Sequence, residues 1–383
     1  MLVDVQQAAL HAALQRLTPA IPAKPAVPIL GGIRLRAGAD GLWLTAGNGG
    51  MTIEARLSAG AGAGDTAVRQ SGQLVVPART LLALVRCLPA GSLSLESASS
   101  SRLNIRTASA VFRLSAFAAE HYPEPALPEA AHQLRFESSR LKQLVRRLAF
   151  AAASSDARPV LTGICCSMTM AGMTFTATDG VRCSMLRLPW KAGDAAATPS
   201  SRTIIIPAHP LLAFVNAPKY EDGPATTMTA GSNGVRFECD GVCLQLPLLE
   251  GAYPSLDRIA SDEPTTFLRL QAVDLLQALE RSAAFAGERR LVKLVVHHER
   301  VTLSSHAEGT GDAEEILPFC TVSGMPLQIT FNGAYMRDML QTVSGSLITL
   351  SFSDPRKPIV ITAPAFGEDE WLYVMTPVRT ADE

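Results

Sequence analysis

Pro28-Ile29-Leu30-Gly31-Gly32, leading into Leu42-Trp43-Leu44-Thr45-Ala46, reads as a tight corner followed by a pair of strands. The pattern returns as Pro159-Val160-Leu161-Thr162-Gly163 with Met173-Thr174-Phe175-Thr176-Ala177, and Pro28 to Pro159 and Leu30 to Leu161 are both shifts of 131. A third version, Leu291-Val292-Lys293-Leu294 with Val301-Thr302-Leu303-Ser304, places Val292 a further 131 residues after Leu161. Self-similarity at a fixed shift marks duplication of one structural unit.

Working outward, each copy is preceded by a helical pattern and contains a second one. Leu141, Leu144, Val145 and Leu148 form an i, i+3, i+4, i+7 stripe, as do Leu81, Leu84, Val85 and Leu88. The patterns predict helices over 2–17, 79–88, 137–150, 207–219, 271–290 and 332–343. Val76-Pro77-Ala78-Arg79 and Ile206-Pro207-Ala208-His209 open two of them, with proline near the first turn, where its missing donor does no harm. Tyr122-Pro123 and Tyr253-Pro254 close two copies at corresponding points. Each copy reads strand–helix–strands twice over, an α+β unit in which antiparallel sheet is covered on one face by two helices. Pro-, Ala- and acid-rich breaks near 126–134 and 260–268 divide the chain into domains 1–128, 129–262 and 263–383.

Composition limits the function. The 383 residues are 47% hydrophobic with a net charge of −1, which excludes a disordered tail and a uniformly basic nucleic-acid coat. No apolar run approaches the ~18 residues of a membrane span. The N-terminus has Asp4 and Gln6 where a signal peptide needs basic and apolar residues. Seven cysteines without a regular framework read as reduced thiols in a cytoplasm. Charge is unevenly spread: the six predicted helices carry twelve basic and six acidic side chains, leaving the remainder acidic. A basic helical layer without base-reading loops suits sequence-independent phosphate contact.

No catalytic constellation stands out. Cys239 and Cys243 lack the further ligands of a zinc site, Cys165 and Cys166 alternate faces of a strand, and adjacent His297 and His298 point apart. Phosphate-loop and nucleophile-elbow motifs are absent. Thr178-Asp179-Gly180 reads as a structural turn. No cofactor or metal is expected.

Three basic-helix α+β copies without an active site resemble the bacterial DNA polymerase III beta subunit family, the replication sliding clamps. The stretches that carry the resemblance are Val27-Pro28-Ile29-Leu30-Gly31, Val76-Pro77-Ala78-Arg79, Thr176-Ala177-Thr178-Asp179-Gly180-Val181-Arg182, Gly251-Ala252-Tyr253-Pro254, Ala313-Glu314-Glu315-Ile316-Leu317 and Val374-Met375-Thr376-Pro377-Val378-Arg379. They occur in family order along essentially the whole chain.

The resemblance implies three tandem clamp domains, sheets outside and two helices per domain inside, and a head-to-tail homodimer closing a ring around duplex DNA. It implies a non-catalytic processivity factor that tethers the polymerase III alpha subunit, other polymerases, the clamp loader and repair proteins through a peptide pocket. The positions matching that pocket are Leu161, Thr178, Gly180, Val181, Arg182, Cys183, Pro254, Arg258, Ile259, Val374, Met375, Thr376, Pro377, Val378 and Arg379. An apolar cleft with a few orienting polar groups suits such a role.

Val181 stands where the family often has His, Cys183 where Leu is usual, and Thr376-Pro377-Val378 where Met-Pro-Met is frequent, so an altered peptide preference is expected. The chain also continues past Arg379 through Thr380-Ala381-Asp382-Glu383. For DNA, the resemblance points to Lys24 and Arg79, joined by Arg140, Arg146 and Arg147 of the third predicted helix, with His209 where Lys is common. Alternatives are a specialised second clamp, a hydrolase built on Cys165, Asp179 or His297, and a structural repeat protein binding only other proteins.

Overall fold

The computed structural model describes residues 1–60, 66–99, 101–123, 132–155, 157–190, 201–217, 220, 225–256, 262–365 and 367–379. The chain divides into two compact units, Met1–Lys142 with His209–Leu248, and Gln143–Ala208 with Leu249–Glu383.

The first unit holds two antiparallel sheets. One consists of β1 (Leu2–Gln6), β5 (Ala67–Gln70), β7 (Ser92–Ser99), β8 (Arg102–Arg106) and β9 (Val111–Ser115), in the order β5-β1-β7-β8-β9. The other consists of β2 (Gly32–Gly38), β3 (Gly41–Gly47), β4 (Thr52–Ser58), β6 (Gly72–Pro77), β10 (His132–Phe136), β15 (Thr226–Ala230), β16 (Gly234–Cys239) and β17 (Val242–Pro247), in the order β10-β15-β16-β17-β4-β3-β2-β6. Helices α1 (Gln7–Leu17) and α2 (Ala78–Cys87) belong to this unit.

The second unit repeats the plan. Its larger sheet contains β11 (Gly163–Thr169), β12 (Gly172–Thr178), β13 (Arg182–Pro189), β14 (Arg202–Pro207), β18 (Thr266–Gln271), β22 (Thr321–Gly324), β24 (Leu347–Phe352), β25 (Ile359–Ala363) and β26 (Glu370–Met375), ordered β14-β11-β12-β13-β26-β25-β24-β18-β22. Its smaller sheet is β19 (Leu291–His297), β20 (Arg300–Ala307), β21 (Gly311–Ile316) and β23 (Leu327–Asn332), ordered β21-β20-β19-β23. Helices α5 (Ala272–Ser282) and α6 (Gly333–Leu340) accompany them, while α3 (Ser138–Ala149) and α4 (Ala208–Val215) are divided between the two units.

The 131-residue shift is written into strand register. Arg34 pairs with Thr45 as Cys165 pairs with Thr176, and Thr45 pairs with Glu54 as Thr176 pairs with Met185. Two junctions sew sequence thirds together. β4 of the first third pairs with β17 of the central third, and β13 of the central third pairs with β26 of the last. The compact units therefore cut through the central third, because main-chain hydrogen bonds cross from one third to the next.

The corner glycines follow from close approach. A Cβ on Gly163 would lie 2.5 Å from Ile205 Cγ2 and 3.0 Å from Ile206 O, and one on Gly32 would lie 2.4 Å from Val75 Cγ1. Gly163→Ala is expected to destabilise the second unit by about 1–3 kcal/mol, the usual range for overpacking, measured by urea unfolding; a change within 0.5 kcal/mol of wild type would contradict the crowding argument.

Two helix predictions need correction. Residues 2–6 form β1, not the start of a helix: Val3 and Val5 are fully buried while their neighbours are half-exposed, a period of two that β-branched residues favour. The helix expected over 271–290 ends at Ser282, passing into a short 3-10 turn at Ala283–Phe285 before Gly287 adopts φ +58°. Arg289 and Arg290 are thus not helical. The observed helices carry nine basic and three acidic side chains. No helix among the described residues is long and apolar enough to cross a membrane.

Candidate functional site

The turn after β12 is built by its own side chains. Thr178 Oγ1 accepts the Gly180 amide at 3.0 Å and donates to Arg182 O at 2.6 Å. Asp179 Oδ1 accepts the amides of Val181 at 2.9 Å and Arg182 at 3.0 Å. Asp-Gly suits such a turn, and Gly180 takes φ +94° with open space where a side chain would stand. One oxygen of the Asp179 carboxylate is therefore committed to holding main chain.

Arg182 ties this turn to α6. Its Nε donates to Asp179 Oδ2 at 3.0 Å and its Nη1 to Asp338 Oδ2 at 2.9 Å. The guanidinium stands 4.3 Å from the Tyr335 ring centroid and 5.6 Å from that of Phe150. From the other direction, Tyr253 Oη accepts the Thr178 amide at 3.0 Å and donates to Gly163 O at 3.4 Å. Burial pushes the Tyr253 phenol pKa up. The segment ending in Pro254 is thereby fastened to both β12 and the corner that carries Leu161.

The C-terminal stretch completes the neighbourhood. Cys183 lies opposite Val374 in the β13–β26 ladder. Val181 O accepts from the Thr376 amide at 3.1 Å and from Thr376 Oγ1 at 3.0 Å, and the Val378 amide donates to Thr330 O at 2.8 Å. The expected pocket positions then separate into two roles. Leu161, Thr178, Cys183, Val374 and Met375 are buried and form the support, while Val181, Pro254, Thr376 and Arg379 are exposed. Arg258 and Ile259 lie outside the described residues. Tyr335, Asp338 and Phe150 were not foreseen as part of this cluster; Asp338 is 156 residues from its partner Arg182 in the chain, and no local signal announces such a pair.

The basic positions also separate. Arg79 Nη2 donates to Ala23 O at 2.8 Å, which sets its exposed guanidinium beside exposed Lys24. On α3, Arg146 is exposed and Arg140 half-buried. Arg147, expected to contact DNA, is only 9% exposed. Its Nη1 donates to Pro364 O at 2.9 Å and its guanidinium lies 5.4 Å from the Trp371 ring centroid. Burial lowers its pKa, so it serves packing rather than a surface charge.

The residues of the hydrolase alternative give it no support. Cys165 sits on β11 and burial pushes its thiol up to about 11, whereas a nucleophilic thiol needs a depressed value. Burial likewise raises Cys183 to about 12. His297 ends β19, in the other sheet of the second unit. Among the described residues no group of three or more His, Cys, Asp or Glu could hold a metal ion.

Comparison with known proteins agrees along the whole chain. The family models for the DNA polymerase III beta subunit match in order: the N-terminal domain over residues 1–128, the central domain over 135–255 and the C-terminal domain over 258–379. The beta sliding clamp of Bacillus subtilis (strain 168) is 27% identical over 384 residues, covering 99% of this chain and 100% of that protein. The crystal structure of the DNA polymerase sliding clamp from Bacillus subtilis superposes with a TM-score of 0.90 at 26% identity, covering 99% of each chain. The beta subunit from the DNA polymerase of Streptococcus pyogenes, at 23% identity, has the same fold, with a TM-score of 0.91 over 99% of this chain and 100% of that one. With the repeat, the sheet junctions and the fold all in agreement, this chain belongs to the DNA polymerase III beta subunit family, whose function is that of a DNA sliding clamp.

Proposed function

We propose that two copies of this chain, each with domains 1–128, 129–262 and 263–383, close head to tail into a ring around duplex DNA and act as a non-catalytic processivity factor in the cytoplasm. The observation that carries this reading is an unfinished pattern of strand pairing. The fourth strand of the first and central repeats pairs with the last strand of the following repeat, β4 with β17 and β13 with β26. The same rule asks β21 to pair with β9, and both are sheet edges. An unpaired edge is a template for another chain. Exposed Asp312 and Glu314 on β21 complement exposed Arg113 on β9, and both edges expose an aliphatic side chain, Ile316 at 54% and Val111 at 39%. A heterologous contact that closes yields a ring rather than a filament.

Within that ring, Lys24, Arg79, Arg140 and Arg146 provide sequence-independent phosphate contact. The cluster around Arg182, Val181, Pro254 and Thr376 takes the linear motifs of the polymerase III alpha subunit, the clamp loader, other polymerases and repair proteins. With Val181 and Thr376 at its surface, its peptide preference differs from that of relatives carrying His and Met there.

The test is topological. Assembled by its clamp loader on nicked circular plasmid, the protein is expected to co-elute with DNA in gel filtration and to be lost when the plasmid is cut; equal retention on linear DNA would reject encirclement. In the same assay, Lys24→Ala with Arg79→Ala should lower the slope of log affinity against log salt by roughly two, about 0.9 for each phosphate contact removed. An unchanged slope would remove these residues from the DNA surface.

A further inference from the structure

Arginine recurs at one place in the threefold repeat: Arg16, Arg147 and Arg281 are each the tenth residue of the first helix of their third, α1, α3 and α5. The first two reach into the last hairpin of the following third, next to a sheet junction. Arg16 Nη2 lies 3.1 Å from Asp240 Oδ2 and Nη1 lies 3.3 Å from Asp240 O, in the turn between β16 and β17. Arg147 Nη1 donates to Pro364 O, in the loop between β25 and β26. Arg281 lies in the last of the three thirds. It turns back onto β21 instead, with Nε 3.0 Å from Glu315 Oε2 and Nη2 on Glu315 Oε1. Its side chain is 57% exposed, against 16% for Arg16.

We propose that Arg281 is the latch of the contact between two copies of this chain, donating to main-chain carbonyls of the other copy's β8–β9 turn, Thr107–Ala110. This rests on the head-to-tail reading above. A guanidinium held side-on through Nε and Nη2 turns its Nη1 edge away from the carboxylate. Glu315 is then the positioning residue: it stands on the edge strand that receives β9 and aims the latch across the junction. The receiving turn is preformed and carries no acidic side chain. Thr107 N donates to Ala110 O at 2.9 Å, and Thr107 Oγ1 accepts the amides of Ser109 at 3.3 Å and Ala110 at 3.0 Å. Ala108 and Ser109 at its tip are exposed. Carbonyl oxygen is what such a turn presents to a cation, as Pro364 does to Arg147. In free protein the latch is solvated; in the dimer it becomes buried like its two counterparts.

Sedimentation velocity over a dilution series of the full chain tests this. Arg281→Ala should weaken dimerisation by roughly tenfold to a hundredfold, the range for a charge-assisted hydrogen bond left unmade in a buried contact. Arg281→Lys should fail to restore it, because lysine lacks the fork that serves Glu315 and the turn together. Glu315→Gln should weaken dimerisation by less, and Arg16→Ala, the counterpart inside one chain, should leave it unchanged. Circular dichroism of Arg281→Ala should match wild type. If Arg281→Ala dimerises within twofold of wild type while the edge variant Arg113→Glu is monomeric, the latch is wrong and the edge pairing stands. If Arg113→Glu dimerises as well as wild type, the β9–β21 contact itself fails.

Discussion

Arg182→Ala is expected to destabilise the second unit by about 3 kcal/mol, the lower end for removing one partner of a largely buried ion pair, and to abolish binding of a clamp-binding peptide. One guanidinium holds two carboxylates and lies against two rings. Its loss leaves Asp179 and Asp338 facing each other's charge without the cation between them, with side chains 16% and 35% exposed. The Asp179 turn keeps its two amide bonds, so local structure persists while the link to α6 goes. Arg182→Lys should recover part of the stability, since an ammonium supplies charge but not a fork that serves both acids. The measurements are urea unfolding and isothermal titration with the peptide. Unchanged unfolding would show that Arg182 does not support the cluster, and binding retained at high micromolar peptide would show that it does not shape the proposed peptide site.

Trp371→Ala carries the largest expected loss, about 3–5 kcal/mol, the range for deleting a buried aromatic from a core. Trp371 is 3% exposed and stacks on Tyr373, with an interplanar angle of 11° and centroids 6.5 Å apart. Tyr373 in turn meets Phe150 at 5.5 Å. The series runs from Arg182 through Phe150, Tyr373 and Trp371 to Arg147, so each end of the aromatic row is covered by a cation. Trp371 Nε1 also donates to Ser184 Oγ at 3.0 Å, and Ser184 Oγ donates to the carbonyl of Arg147. Removing the indole therefore opens a cavity, takes one hydrogen-bond donor from a buried hydroxyl and uncovers a buried guanidinium. Trp371→Phe keeps most of the volume and should lose less than half as much. Unfolding followed by circular dichroism separates these outcomes, and an alanine variant within 1 kcal/mol of wild type would deny the row any structural role.

The cluster around Arg182 was only partly legible in advance. Thr178-Asp179-Gly180 could be read as a turn because Asp and Gly act on their own backbone. That Tyr253 would accept the Thr178 amide, or that Asp338 would complete Arg182, had no such signature, since both partners arrive from distant sequence through sheet pairing. Arg147 illustrates the converse error. Helical spacing places it beside Arg146, and both look like surface charge, yet adjacent helical positions point in different directions and one of them meets Trp371.

From the amino-acid sequence alone came the threefold repeat, most helix positions, the corner glycines and the uneven distribution of charge, all of which depend on spacing within a few residues or on one fixed shift. The tertiary structure decided which strands join across the repeats, which arginines are spent on packing and which edges are left open. Those outcomes turn on which hydrogen-bonding edges and ring faces meet, and residues far apart in the chain bring such partners together without leaving any periodic mark on either segment.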